Sequence, residues 1–156
     1  MKIKLIIDFQ AKESLSIIDY FFEYRRSNNL DLEIHGYDVN ETHSINNAYY
    51  GLYYANKFGV GLEYAHRILK ALYEDNKDIN NLDVLATSYS EIGFNCNDLI
   101  DAIMEGDYVE MHQYYQSVFK KEEINKPCYA YIYDPDKHLL VGYQDIKNYI
   151  ENKKSS

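Results

Sequence analysis

The sequence predicts an α/β fold in which a β-α-β unit and a β-β-α unit flank a long helical block. Three observations carry this. An apolar run at residues 2–8, with Ile3, Leu5, Ile6 and Ile7, is too short for a core helix and rich in β-branched residues, as a buried strand is. Directly after it, Leu15, Ile18, Phe21 and Phe22 recur at three- and four-residue spacing, the apolar face of a helix. Near the other end, residues 128–133 read Cys-Tyr-Ala-Tyr-Ile-Tyr, then Asp134-Pro135-Asp136-Lys137 supplies a turn and residues 138–143 return, which is a β-hairpin.

The remaining elements follow in order. Ser14 opens the first helix, as N-cap or first-turn hydroxyl, and Arg25 and Arg26 suit its last turn before Ser27-Asn28-Asn29 ends it. Residues 30–39 alternate apolar and polar side chains, so a second strand follows, expected parallel to the first through a right-handed crossover. Residues 40–125 carry helical spacing throughout. A helix capped by Asn40 or Thr42 runs to Phe58; the next spans 62–74. Asn81 precedes a third closed by Gly93, Asn97 caps a fourth through Met104, and 107–121 makes the last. These helices are expected to form a layer or lid. After the hairpin, residues 145–152 give a closing helix with Ile146, Tyr149 and Ile150 inward, and 152–156 is a polar tail. The division is therefore a discontinuous α/β unit, 1–39 plus 126–156, with 40–125 as a helical insertion.

Composition narrows the function. At 156 residues the chain makes one domain, with or without an insertion. A formal net charge of -9 argues against nucleic acid or an anionic membrane as partner. No amino-terminal apolar segment leads to a small-residue cleavage site, and no apolar run approaches a membrane span, so the expected location is cytoplasmic. The five histidines show no HExxH or close His-carboxylate spacing, and no metal site is expected. No glycine-rich phosphate loop follows the first strand, and Gly59-Val60-Gly61 lies between helices, outside the context a dinucleotide motif needs. The two cysteines, Cys96 and Cys128, form no CxxC. The 18 tyrosines beside no tryptophan fit a biased composition and carry no functional weight.

Several short stretches, taken in order, resemble one family. Asp8-Phe9 followed by a four-residue segment looks like an Asp-Phe-x-Cys-Pro-x-Cys junction. Ala71-Leu-Tyr-Glu-Asp-Asn-Lys-Asp-Ile79 with Asp83-Val-Leu85 looks like a Leu-Phe-x-Ala-x-Phe-x-x-Gly-x-Asp-Ile segment and its following Val-Leu. Gly93 and Leu99 fall where a Gly-Leu turn and the next helix would lie, and Pro127 stands immediately before the hairpin. The chain thus resembles the thioredoxin fold with an all-helical insertion, as in the DsbA-like family with its FrnE-type disulfide oxidoreductases, over nearly its whole length. The resemblance implies that Pro127 is the cis proline facing the redox turn, and that a peptide groove is formed by Phe9, Gln10, Ala11, Lys12 and Glu13 with Lys126 and Pro127.

The departures bear on function. Ala11 and Ser14 stand where the family carries its two cysteines, so the dithiol that attacks and resolves a mixed disulfide is missing. The related kappa-class glutathione transferases and hydroxychromene-carboxylate isomerases place a serine at the first position, here Ala11. Cys128 begins the strand after Pro127; it reads either as a lone thiol beside the turn, open to glutathionylation, or as a small buried hydrophobe. Asp8 reads as a base or as a turn cap. Two functions follow: a peptide- or protein-binding adaptor without redox chemistry, or an enzyme. The enzyme would be a monothiol oxidoreductase using Cys128, with Ser14 in support, or a glutathione-dependent transferase-like protein. Glutathione is the one cofactor the resemblance allows, and an apolar patch on the helical layer would allow a homodimer.

Overall fold

The computed structural model describes residues 1–154 and arranges them as β1 (Lys2–Ile7), α1 (Lys12–Ser27), β2 (Asp31–Gly36), α2 (Asn46–Lys57), α3 (Gly61–Tyr73), α4 (Leu82–Glu91), α5 (Asn97–Glu105), α6 (Val109–Lys121), β3 (Cys128–Tyr133), β4 (Lys137–Val141) and α7 (Tyr143–Lys154). The four strands form one sheet in the order β2-β1-β3-β4. β1 pairs parallel with β2 and antiparallel with β3, so Ile7 lies between Gly36 and Cys128 at one end of the sheet. The β-α-β, helices, β-β-α order read from the sequence is the observed one.

Strand periodicity divides the core between two faces. Ile3, Leu5 and Ile7 of β1 join the large core with α1, α7 and the insertion helices, whereas Ile6 joins a smaller cluster with Tyr37, Tyr129 and Phe119 of α6. Helices cover the sheet on both sides, and the large core runs without a break from β1 and α1 into α2, α3 and α4.

Buried tyrosines tie the insertion together. Tyr64 on α3 donates its hydroxyl proton to the Ala48 carbonyl at 2.6 Å, and Tyr89 on α4 donates to the Gly51 carbonyl. Each ring supplies apolar area, and each hydroxyl finds an acceptor on the backbone of α2. Gly51 itself leaves the space that the Tyr64 hydroxyl fills.

Some boundaries differ from the expected ones, for local reasons. α2 starts at Asn46 rather than near Asn40 or Thr42, because Glu41 and His43 adopt positive φ (51° and 56°) and the Asp38 carboxylate binds the Thr42 and His43 amides. Asn81 does cap α4, accepting from the Asp83 and Val84 amides. Asn97 is the first residue of α5 rather than its cap; Cys96 holds the cap position and the Asn95 side chain accepts the Asn97 amide. α1 begins two residues earlier than Ser14, with Ala11 at the cap position and no side-chain cap. α7 continues through Asn152 and Lys153 into the expected tail, and 155–156 lie outside the described residues.

The sheet end at Gly36 depends on a missing side chain. A Cβ there would run into the ring of Tyr49, which is fully buried. Gly36→Ala is expected to destabilise the protein by about 1–3 kcal/mol through overpacking, read as a lowered urea midpoint; an unchanged midpoint would show that the Tyr49 ring gives way.

Candidate functional site

The junction between β1 and α1 is organised by Asp8, which is 4% exposed. Its amide donates to the Pro127 carbonyl at 2.9 Å, extending the β1-β3 ladder by one residue, and its own carbonyl accepts the Ala11 amide at 3.1 Å. One carboxylate oxygen accepts the Gln10 amide at 2.9 Å and the Tyr49 hydroxyl at 3.2 Å; the other accepts the Val39 amide at 3.2 Å. Burial raises the Asp8 pKa above the usual carboxylate range, the three donors pull it back, and the nearby Asp38 charge raises it. Tyr49 in turn accepts the Phe9 amide at 3.3 Å, and Tyr73 donates to the Phe9 carbonyl at 3.0 Å.

The residues read as site residues take different positions on this frame. Phe9 is fully buried, packed 5.0 Å from the Tyr49 ring, and belongs to the core. Gln10 is exposed but tethered, donating to Ser44 at 2.7 Å and accepting from Thr42 at 2.9 Å. Ala11 is half-buried, Lys12 is exposed, and Glu13 accepts the Tyr143 amide at 3.0 Å. Lys126 is exposed beside a half-buried Pro127. The described residues contain no cis peptide bond, so Pro127 is trans, contrary to the expectation from the resemblance. It nonetheless faces the turn: its carbonyl is paired with the Asp8 amide and lies 3.4 Å from the Ser14 hydroxyl.

Neither nucleophile candidate is poised for attack. Ser14 is fully buried in the first turn of α1, and its hydroxyl donates to the Asp8 carbonyl at 2.6 Å, which commits its single proton. Cys128 is also fully buried, and burial, with the Glu13 charge adding to it, pushes its thiol up to about 12. A thiol at that value is protonated at neutral pH and is a poor nucleophile. Cys96, at the cap position of α5, is buried too, and its pKa is also raised by burial. Among the described residues no group of three or more His, Cys, Asp or Glu side chains could hold a metal ion.

Two further groups beside this junction carry no sequence signal. Asp38, fully buried, folds the 38–44 loop around its carboxylate, while Gln116 of α6 accepts its amide at 2.8 Å and donates to its carbonyl at 3.1 Å. His112 of α6 stacks on Tyr49, with ring centroids 5.3 Å apart. Both depend on α6 folding back against the sheet end, a contact that helical spacing alone does not reveal.

No known protein family and no curated protein matches the chain by sequence. Solved structures do match it in shape. A 2-hydroxychromene-2-carboxylate isomerase superposes with a TM-score of 0.83 at 8% identity, covering 99% of this chain and 95% of that one. The cytosolic disulfide reductase DsbM from Pseudomonas aeruginosa gives 0.71 at 13% identity over 99% of both chains. The oxidoreductase DsbA from Xylella fastidiosa gives 0.63 at 14% identity, covering 99% of this chain and 88% of that one. The fold is therefore the DsbA-like form of the thioredoxin fold. Its two cysteines lie at Cys96 and Cys128, with Ala11 and Ser14 in the turn.

The raised Asp8 pKa has a sign that can be tested. Between the ordinary carboxylate value, about 3.9, and the higher folded value, the native state keeps a proton that the unfolded chain has lost. Asp8 therefore makes stability fall as pH rises across that window. Urea unfolding from acid to neutral pH should show this fall in the wild type and a flatter profile in Asp8→Asn; parallel profiles would contradict it.

Proposed function

We propose that this protein is a binding module on a thioredoxin fold, taking up an extended peptide or protein segment at the β1-α1 turn without thiol-disulfide chemistry. The observation that carries the reading is the state of the turn. Ala11 replaces one thiol, and Ser14 replaces the other with its proton given to the Asp8 carbonyl. Cys128, the remaining thiol nearby, is buried and held protonated. The monothiol reading therefore lacks a nucleophile.

What the turn does offer is a rim. Lys12 and Lys126 are exposed on its two sides, with Gln10 beside them. On a chain of net charge -9 this local positive pair favours an acidic segment over a basic one. The start of α1 lies at the turn, and the positive end of the helix dipole adds to that preference. In the DsbA-like fold the same end of the sheet is the redox end, so the groove would be inherited with its chemistry removed. No helix among the described residues is long and apolar enough to cross a membrane; the likeness to the cytosolic reductase DsbM supports a cytoplasmic location.

A second reading, a glutathione-dependent isomerase or transferase, has the likeness to the hydroxychromene-carboxylate isomerase and to DsbM in its glutathione-bound structure in its favour. The side chains of the turn do not fit a glutathione thiolate: Ala11 has no hydroxyl, and the Ser14 hydroxyl is buried and engaged. The binding reading is preferred for that reason.

Anisotropy titration of a fluorescent, cysteine-free acidic peptide tests it. The wild type should bind saturably, and Lys12→Glu combined with Lys126→Glu should weaken binding by about tenfold, the equivalent of 1.4 kcal/mol. No saturable binding, or equal binding by the double variant, would overturn the reading, and saturable binding of reduced glutathione at the turn would favour the second.

A further inference from the structure

A concave region of about 580 Å³ lies away from the turn, along the outer edge of β2 and between the end of α2, the start of α3 and α6. That volume falls within the ordinary range of small-molecule sites. The connection between α2 and α3 shapes it. Gly59 turns the chain at positive φ (72°) with no atom within 4 Å of where a side chain would start, and Gly61 leaves the space that the Asn56 amide fills. Asn56 then donates to the Ile34 carbonyl at 3.0 Å, which ties the end of α2 to the sheet edge and fixes one side of the cavity.

The lining is apolar where a ligand can reach it. Leu30, Leu32 and Tyr115 are half-buried and Met111 is 39% exposed, so each offers carbon surface to the cavity. Ile34 and Leu62 complete the wall from the buried side. Four of these six side chains are branched aliphatics and a fifth is a flexible thioether. A bendable hydrocarbon chain fills a surface of such uneven relief better than a flat ring does.

The charges around this space leave one cation over. Arg25 pairs with Glu63, and Glu33 pairs with Lys2 at 3.1 Å. Burial and the nearby Lys4 hold the His35 pKa below the usual imidazole value, so His35 adds no charge at neutral pH. Lys57 is exposed and has no carboxylate partner among the described residues. It donates one proton to the Tyr108 hydroxyl at 3.1 Å and lies 4.9 Å from the centroid of that ring. Tyr108 in turn stacks on Tyr53, which lines the cavity, with centroids 6.5 Å apart. The ammonium is therefore tethered beside the cavity, and two of its three protons are left for an acceptor there. On a chain of net charge -9 this is a local preference for an anion next to an apolar wall.

We propose that this cavity binds a medium-chain aliphatic monocarboxylate, with the carboxylate on Lys57 and the hydrocarbon chain against Leu30, Leu32 and Met111. The proposal is independent of the peptide reading, because no lining residue is one of the turn residues. The probes are octanoate, octylammonium and benzoate, added singly at low millimolar concentration to the isotopically labelled protein. The first two share a chain and differ in the sign of the head group; the third keeps the carboxylate on a flat ring. Octanoate should give saturable shifts of the Leu32, Lys57 and Met111 amides, benzoate should bind more weakly, and octylammonium should not bind. Lys57→Gln, which keeps a donor and removes the charge, should weaken octanoate binding by about tenfold. Met111→Gln should weaken it by about threefold through lost apolar contact. Both side chains are exposed, so neither variant disturbs the core. Absence of saturable octanoate shifts, equal binding of octylammonium, tighter binding of benzoate, or binding untouched by Lys57→Gln would overturn the proposal. So would movement of the same amides on dilution alone, as a second copy seated in the groove would cause.

Discussion

The buried Asp8 carboxylate is the constraint on which this end of the molecule depends. Its two oxygens hold the Gln10 amide, the Val39 amide and the Tyr49 hydroxyl, and thereby join the turn after β1, the loop after β2 and the first turn of α2. The backbone of the same residue joins the segment before β3 and the first turn of α1, through Pro127 and Ser14. A charged group out of water is costly unless its lone pairs are met. Three donors meet them here, and the pKa of Asp8 is still raised by burial. The junction is thus held by an arrangement that would be unfavourable if any one of the joined segments moved away.

That arrangement also bears on the chemistry of the turn. A thiol or hydroxyl at a helix start becomes reactive when it is partly exposed and its anion is supported. Ser14 has its proton committed and no exposure, and Cys128 is buried in the large core with the Glu13 charge disfavouring its thiolate. The surface that remains consists of long polar side chains around a fixed backbone. A recognition role suits such a surface, because a rigid frame lowers the cost of ordering on binding.

Much of the fold was legible in the sequence, since strand and helix periods are local signals. The β1 run, the α1 stripe and the turn at Pro135 all identified their elements, and their order pointed to a thioredoxin-like topology. What stayed hidden was set by contacts distant in sequence. The start of α2 moved because Asp38 organises the 38–44 loop, and no propensity scale contains that contact. Ser14 fits either an N-cap or a first-turn hydroxyl by sequence, and only the structure shows the second, with a carbonyl six residues earlier holding its hydroxyl inside the first turn. The trans Pro127 was likewise out of reach of a motif match. Its position opposite the turn was foreseen, and its peptide geometry was not.

The tyrosine content is a further case. As composition it carries no functional information, but in the structure Tyr49, Tyr53, Tyr64, Tyr73 and Tyr89 place hydroxyls on a carboxylate, an imidazole and three backbone carbonyls. On the proposed reading, this end of the sheet is a scaffold without a working thiol. Turnover of a glutathione mixed-disulfide peptide by the wild type and by Cys128→Ser tests this most directly. The account predicts no turnover by either protein; turnover by the wild type that disappears in Cys128→Ser would contradict it.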